Sequence, residues 1–234
     1  MDLDFKKDAL YLDIDGTLLD LAVRADDVVV PPSLPGHLYH LKQKTGGAVA
    51  FVSGRELQVI DRLFAPLILP AAGVYGAEIR LSPQTQQEHI DPIPNHLIQA
   101  IEQSVGSMQG VVFENKRYAI VVDFKCAPER ADIIGKMLAG ILGNARQDLV
   151  LLKATRAYEI KYKGYTKDRA IQRFQSVPPF FGRRPIFLGD DVVDEQAIDY
   201  CRKNGGIGIK IGEEGEALAT PQDVRKWIER MASL

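Results

Sequence analysis

ALYLDIDGTLLD, residues 9–20, runs apolar residues straight into Asp13 and Asp15 and then into Gly16 and Thr17. Residues 9–13 read as a buried strand. The glycine after them reads as a tight turn. Such a strand end concentrates negative charge, and an unpaired buried charge is expensive. The pattern therefore points to a cation or a chemical task at this spot.

Outward from this stretch the chain alternates. Residues 33–44 space Leu34, Leu38 and Leu41 for a helix, AVAFVSG (48–54) is a second buried strand, and RELQVIDRLF (55–64) a second helix. LILPAAGVYGAEIRL (67–81) begins as a third strand and passes through two glycines. Strand–helix alternation implies a parallel sheet with right-handed crossovers. The pattern changes at SPQTQQEHIDPIPN (82–95), which is polar and proline-rich. A helix (96–108), a hairpin (111–115 and 118–124), a helix (128–142) and two strands (149–154 and 158–162) follow, an antiparallel α+β unit. Beyond Gly164 the alternation resumes: helix 166–175, strand PIFLGDD (185–191), helix 194–204, strand GIGIKIG (206–212) and helix 221–232. The expected fold is an α/β, Rossmann-like three-layer core made of residues 1–81 and 161–234, with a smaller inserted α+β cap, residues 82–160.

The chain's 234 residues suit such a two-part arrangement. A net charge of −2 gives no electrostatic case for nucleic acid or an anionic membrane. Two cysteines far apart suggest neither a disulfide framework nor a zinc site, so a cytoplasmic location is expected. MDLDFKKDAL does not read as a signal peptide, and no apolar run approaches the roughly 20 residues of a spanning helix. A monomer acting on a small molecule is expected.

In open α/β sheets ligands bind at the carboxyl ends of the strands. That rule gathers Asp13 and Asp15, then Ser53, Gly54 and Arg55, then Lys167, and then Asp190, Asp191 and Asp194 into one proposed site. Aspartates before helices are routinely caps, but one cap needs one acid, and carboxylates this close repel without a cation. Oxygen donors of this kind suit Mg²⁺, which binds through a few carboxylates plus a phosphate group. Ser53 and Lys167 offer a hydroxyl and an ammonium to phosphate oxygens. A cation at the helix start occupied by Lys167 is locally unfavourable, which hints at a bound anion. In the cap, Glu114 and Lys116 sit at a hairpin and Glu159 on a later strand. They read either as ligands of sugar hydroxyls or as ordinary surface charges.

Taken together, these motifs resemble the haloacid dehalogenase superfamily of phosphohydrolases. DIDGT, VSGR, Lys167 and GDDVVDE match its four motifs in order. Within it, VVVP (28–31), FVSGR (51–55), AGVYGAEIR (72–80), EIK with a following G-x-x-K (159–167), FLGDDVVDE (187–195) and KIG (210–212) resemble the trehalose-6-phosphate phosphatase family. Tyr75 and Val193 depart from that family's usual histidine and threonine. The resemblance implies an aspartyl phosphate formed on Asp13, with Asp15 as acid and then base. It implies Mg²⁺ held by Asp13, the Asp15 backbone carbonyl and Asp190, with Asp191 and Asp194 orienting the metal's surroundings. Ser53, Gly54 and Lys167 would bind phosphate, while Arg55, Glu114, Lys116 and Glu159 would bind the sugar as the cap closes over the core. Phosphatases for sucrose phosphate or mannosyl-3-phosphoglycerate share the core motifs. A phosphomutase and a non-catalytic sugar-phosphate binder are the other readings, and phosphate release separates both from a phosphatase.

Overall fold

The computed structural model describes residues 1–22, 27–85, 87–143, 148–154, 156–213 and 218–234. Of the polar stretch 82–95, Gln86 lies outside the described residues. The chain divides into two compact units, Met1–Glu88 with Thr166–Leu234, and His89–Tyr165.

In chain order the first unit begins with β1 (Asp8–Leu12), α1 (Leu34–Lys44), β2 (Val49–Val52), α2 (Leu57–Phe64), β3 (Ala71–Gly73) and β4 (Glu78–Arg80), and the two-residue β5 (Glu88–His89) falls at the division. The second unit holds α3 (Asn95–Val105), β6 (Val112–Asn115), β7 (Ala119–Asp123), α4 (Ala131–Leu142), β8 (Leu149–Lys153) and β9 (Ala157–Tyr162). The first unit resumes with α5 (Lys167–Gln175), β10 (Arg184–Gly189), α6 (Glu195–Lys203), β11 (Ile207–Lys210) and α7 (Pro221–Ser233).

The first unit's sheet has the order β11-β10-β1-β2-β3-β4-β5. Neighbours from β11 to β3 run parallel, and β4 returns antiparallel to β3. Alternation along β1 explains the layers, because successive side chains leave opposite faces of a strand. Leu10 and Leu12 join the core built with α1, α2 and α7, where Leu38, Ile60 and Ile228 are buried. Tyr11 joins the opposite core, among Ile171, Phe174 and Ile198 of α5 and α6. A strand buried on both faces reads as a continuous apolar run, as ALYL does. Burying each such aliphatic side chain contributes about 1.5–3 kcal/mol. Helix α7 is fixed at its start by a Thr220–Asp223 capping box, with Pro221 in the first turn, and buries Val224, Trp227, Ile228 and Met231.

The second unit is an antiparallel sheet, β6-β7-β9-β8, with its own core. Ile120 and Val122 of β7 and Tyr158 and Ile160 of β9 pack with Leu97 and Ile101 of α3 and Ile134 and Leu138 of α4.

The expected boundaries after residues 81 and 160 move to 88/89 and 165/166. Glu88 stays with the first unit, where it pairs with Arg173 of α5 at 2.7 Å. Tyr162 still pairs with Leu149, and Lys163 N–H bonds the Asp148 carbonyl at 2.8 Å, so the segment up to Tyr165 stays with the second. The stretch 67–81, expected to begin as a strand, reaches one only at Ala71; Val74–Gly76 then form a 3-10 turn, and β4 doubles back on β3.

Candidate active site

Leu12 sits level with Leu188 of β10 on one side and Phe51 of β2 on the other, so three strand ends lie side by side. The residues that follow them are Asp13, Asp190 and Ser53. The Asp13 N–H continues the ladder to the Leu188 carbonyl at 3.0 Å. Gly16 then turns the chain at φ +75°, and the Leu18 and Leu19 N–H groups bond the Ile14 carbonyl at 2.9 Å. A side chain at position 16 would collide with the Asp190 carboxylate, so glycine is required both for the turn and for space.

The three carboxylates of Asp13, Asp190 and Asp194 offer oxygens within 4.8 Å of one another. Lys167, at the first turn of α5, reaches into the group: Nζ lies 2.6 Å from Asp13 Oδ1 and also pairs with Asp194. Asp13, Lys167 and Asp194 are all buried. Asp194 Oδ2 accepts the N–H groups of Asp190 at 3.0 Å and Asp191 at 3.1 Å, which fixes the loop after β10. Asp191, by contrast, is exposed and turns its carboxylate to the Val192 N–H at 2.7 Å, where it starts a short helical turn.

The charges are unequal. When ionised, three carboxylates against one ammonium leave two negative charges uncompensated. Burial first, then the charges of Asp194 and Asp190, push the Asp13 carboxyl well above its ordinary range, although Lys167 pulls it back. Burial and Asp194 raise Asp190 to about 6. Burial alone would lower the Lys167 ammonium, but Asp13 and Asp194 outweigh it and raise it. A hard divalent cation fits this donor set in charge and in chemistry.

Asp15 lies apart from that trio. Arg55 holds both of its oxygens, Nε to Oδ2 and Nη2 to Oδ1, each at 2.7 Å. Arg55, expected as a sugar ligand, is buried in this fork. Ser53 is buried at the end of β2, and its Oγ accepts the Arg55 N–H at 3.2 Å. A side chain at Gly54 would meet the Tyr75 hydroxyl at 2.7 Å, so the loop stays bare there. Tyr75 itself holds a left-handed backbone, φ 60°, and its N–H bonds the Ser53 carbonyl at 3.0 Å. Thr17 was not among the residues expected to act. Its buried hydroxyl donates to Asp13 Oδ2 at 3.3 Å and lies 3.5 Å from Asp190 Oδ1. The signal for it was its place in the same turn as the two acids.

In the second unit, Glu114, Val121, Glu159 and Leu152 form one row across four strands. The helices cover the opposite face, which carries Ile120, Val122 and Ile160. Glu114 is exposed and Glu159 buried, with one Glu159 oxygen lacking a hydrogen bond among the described residues. Their backbones are two strand spacings apart, roughly 10 Å. Lys116 follows at the hairpin, where its N–H bonds the Ala119 carbonyl at 2.9 Å.

Residues 11–220 match the family model described as trehalose-phosphatase. A probable trehalose-phosphate phosphatase of Sinorhizobium fredii is 39% identical over 209 residues, covering 87% of this chain and 77% of the relative. The trehalose-6-phosphate phosphatase of Escherichia coli is 33% identical over 233 residues, covering 97% of this chain and 87% of its own. The C-terminal domain of Candida albicans trehalose-6-phosphate phosphatase shares the fold, with a TM-score of 0.81 at 15% identity over 99% of this chain and 98% of that one. The chain belongs to the trehalose-phosphatase family.

Proposed function

We propose that this chain is a Mg²⁺-dependent phosphatase that hydrolyses trehalose 6-phosphate to trehalose and phosphate. The observation that carries the reading is the group formed by Asp13 and Asp190 at adjoining strand ends with Asp194 and Lys167, and with Asp15 two residues beyond Asp13. Family membership and the names of the relatives supply the substrate.

The reaction begins as an Asp13 oxygen bonds to phosphorus and the bond from phosphorus to the sugar oxygen breaks. Asp15 gives its proton to that departing oxygen. A water then bonds to phosphorus as the Asp13 bond breaks, and its proton returns to Asp15, so both acids regain their starting states. Lys167 and Thr17 fix the two oxygens of Asp13 and so orient the attacking one. The Ser53 hydroxyl, the Gly54 N–H and Lys167 hold phosphate oxygens as charge shifts among them. Arg55 aims the Asp15 carboxylate before substrate binds, and Asp15 takes up the proton it later donates as the sugar oxygen displaces one arm of that fork. Mg²⁺ held by Asp13, Asp190 and the Asp15 carbonyl would neutralise the phosphate charge. Glu114, Lys116 and Glu159 read the sugar hydroxyls, and residues 89–165 act as the specificity unit. The enzyme works as a monomer in the cytoplasm, and sedimentation at micromolar concentration checks the first half of that statement.

Phosphate release from a panel of phosphorylated mono- and disaccharides, with Mg²⁺ and with EDTA, tests the reading. Trehalose 6-phosphate is expected to give the highest kcat/KM, and EDTA to abolish turnover. Preference for sucrose phosphate or mannosyl-3-phosphoglycerate would reassign the substrate. Absence of free phosphate would leave a mutase or a binder. Asp13→Asn is expected to lose at least about 10²-fold in kcat with its circular dichroism unchanged. Retained turnover in that variant would remove Asp13 as nucleophile.

A further inference from the structure

We infer that Lys210 is a positioning residue for the metal-binding acids, holding the Asp190–Asp194 loop from the β11 side. The inference rests on the proposal that a divalent cation binds at Asp13 and Asp190. Lys210 ends β11, in register with Gly189, and the Ile211 N–H bonds the Gly189 carbonyl at 2.8 Å. The next residue after Gly189 is Asp190. From there the Lys210 ammonium donates to the Asp191 carbonyl at 2.5 Å. It lies farther, 3.6 Å, from Glu195 Oε1. Its side chain is 20% exposed and lines a cavity of about 900 Å³ that also contains Gly16 and Asp190.

The loop needs such a clamp on electrostatic grounds. Asp190, Asp191, Asp194 and Glu195 are four acids within six residues, and like charges so close push the backbone apart. Lys167 answers this on one side through Asp194. Lys210 answers it on the other, and its partner is a main-chain oxygen rather than a carboxylate. A contact to the backbone fixes where the Asp190 side chain starts, one residue upstream of the held carbonyl. The Glu195 pair is a poor account of Lys210 by itself, since a pair this long with a largely exposed partner contributes little. A group that hydrogen-bonds a metal ligand typically changes affinity by ten- to a hundredfold when lost, and Lys210 acts one residue further out, through the backbone that carries Asp190, so the low end of that range applies.

The test uses the full chain and MgCl2 alone, read as the rise in melting temperature without substrate. Lys210→Met is expected to need about tenfold more Mg²⁺ than the wild type for the half-maximal rise. Lys210→Arg, which still reaches the carbonyl, is expected to restore the midpoint, and Glu195→Gln to leave it unchanged. At saturating Mg²⁺ the Met variant should keep its KM for the sugar phosphate. An unchanged Mg²⁺ midpoint in Lys210→Met overturns the inference, whether or not its melting temperature in EDTA falls, because a fall without a midpoint shift marks a purely structural role. A wild type whose melting temperature ignores Mg²⁺ overturns the metal proposal itself, and this inference with it.

Discussion

Asp190 carries the clearest pH consequence. Burial and the Asp194 charge raise it from 3.8 to about 6, so the folded, metal-free chain holds a proton there that the unfolded chain has lost. This group's contribution to stability is therefore present below pH 3.8 and lost as pH rises through about 6. A cation bound to the ionised carboxylate offsets that loss. The gain in melting temperature from Mg²⁺ over EDTA is expected to be large at pH 7.5 and to shrink by pH 5, where protons compete for Asp190. Parallel melts at the two pH values check it, and an equal gain at both would contradict it. Lys167 makes a second prediction at this scale. It is buried between Asp13 and Asp194, and removing its charge strands both carboxylates. Lys167→Met is expected to lose about 3–5 kcal/mol in a urea titration run in EDTA.

At the scale of elements, the site depends on how α2 begins. No side chain of its own N-cap residue, Glu56, closes that helix. Instead Glu78, from β4, accepts the Leu57 N–H at 2.7 Å across the sheet. The 3-10 turn between β3 and β4 brings it there, and the same turn bonds the Ser53 and Arg55 carbonyls through the Tyr75 and Val74 N–H groups at 3.0 Å. The Ser53–Arg55 loop, proposed to bind phosphate, is thus braced by a strand reversal rather than by its own sequence. Glu78→Ala should cost about 1 kcal/mol for the lost cap, roughly 2–4 °C in melting temperature for a chain of this size. It should also raise KM for the sugar phosphate as Arg55 and Ser53 loosen. A variant with the melting loss and an unchanged KM would separate the brace from the loop's function.

For the whole molecule, the division into two units has an energetic meaning. His89–Tyr165 is one continuous segment with a four-stranded sheet, two helices and a core of its own. A domain of this size buries enough surface to be marginally stable alone. Expressed by itself, the segment is expected to melt cooperatively by circular dichroism, and a structureless spectrum would show that it depends on the rest of the chain. The first unit is discontinuous and cannot be cut out the same way, because β10 and β11 close the sheet begun by β1 and β2.

The sequence by itself determined the alternation of elements and the parallel sheet, and it put Asp13 and Asp190 directly after apolar strands. Those properties are local: a doubly buried strand is an apolar run, and ALYL, AVAFV and PIFL are such runs whatever surrounds them. The ends of α1 and α7 were legible for the same reason. Only the tertiary structure decided who holds whom. Arg55 and Asp15 are 40 residues apart, Lys167 and Asp13 154. Thr17 turned to Asp13, and β4 reversed on β3 to cap α2, through contacts with no periodicity in the chain. Residue type restricts the partners a charge accepts, but pairing across a sheet depends on strand order and register. These are set by the packing of all the strands and helices together, so the acids were readable from the sequence and their partners were not.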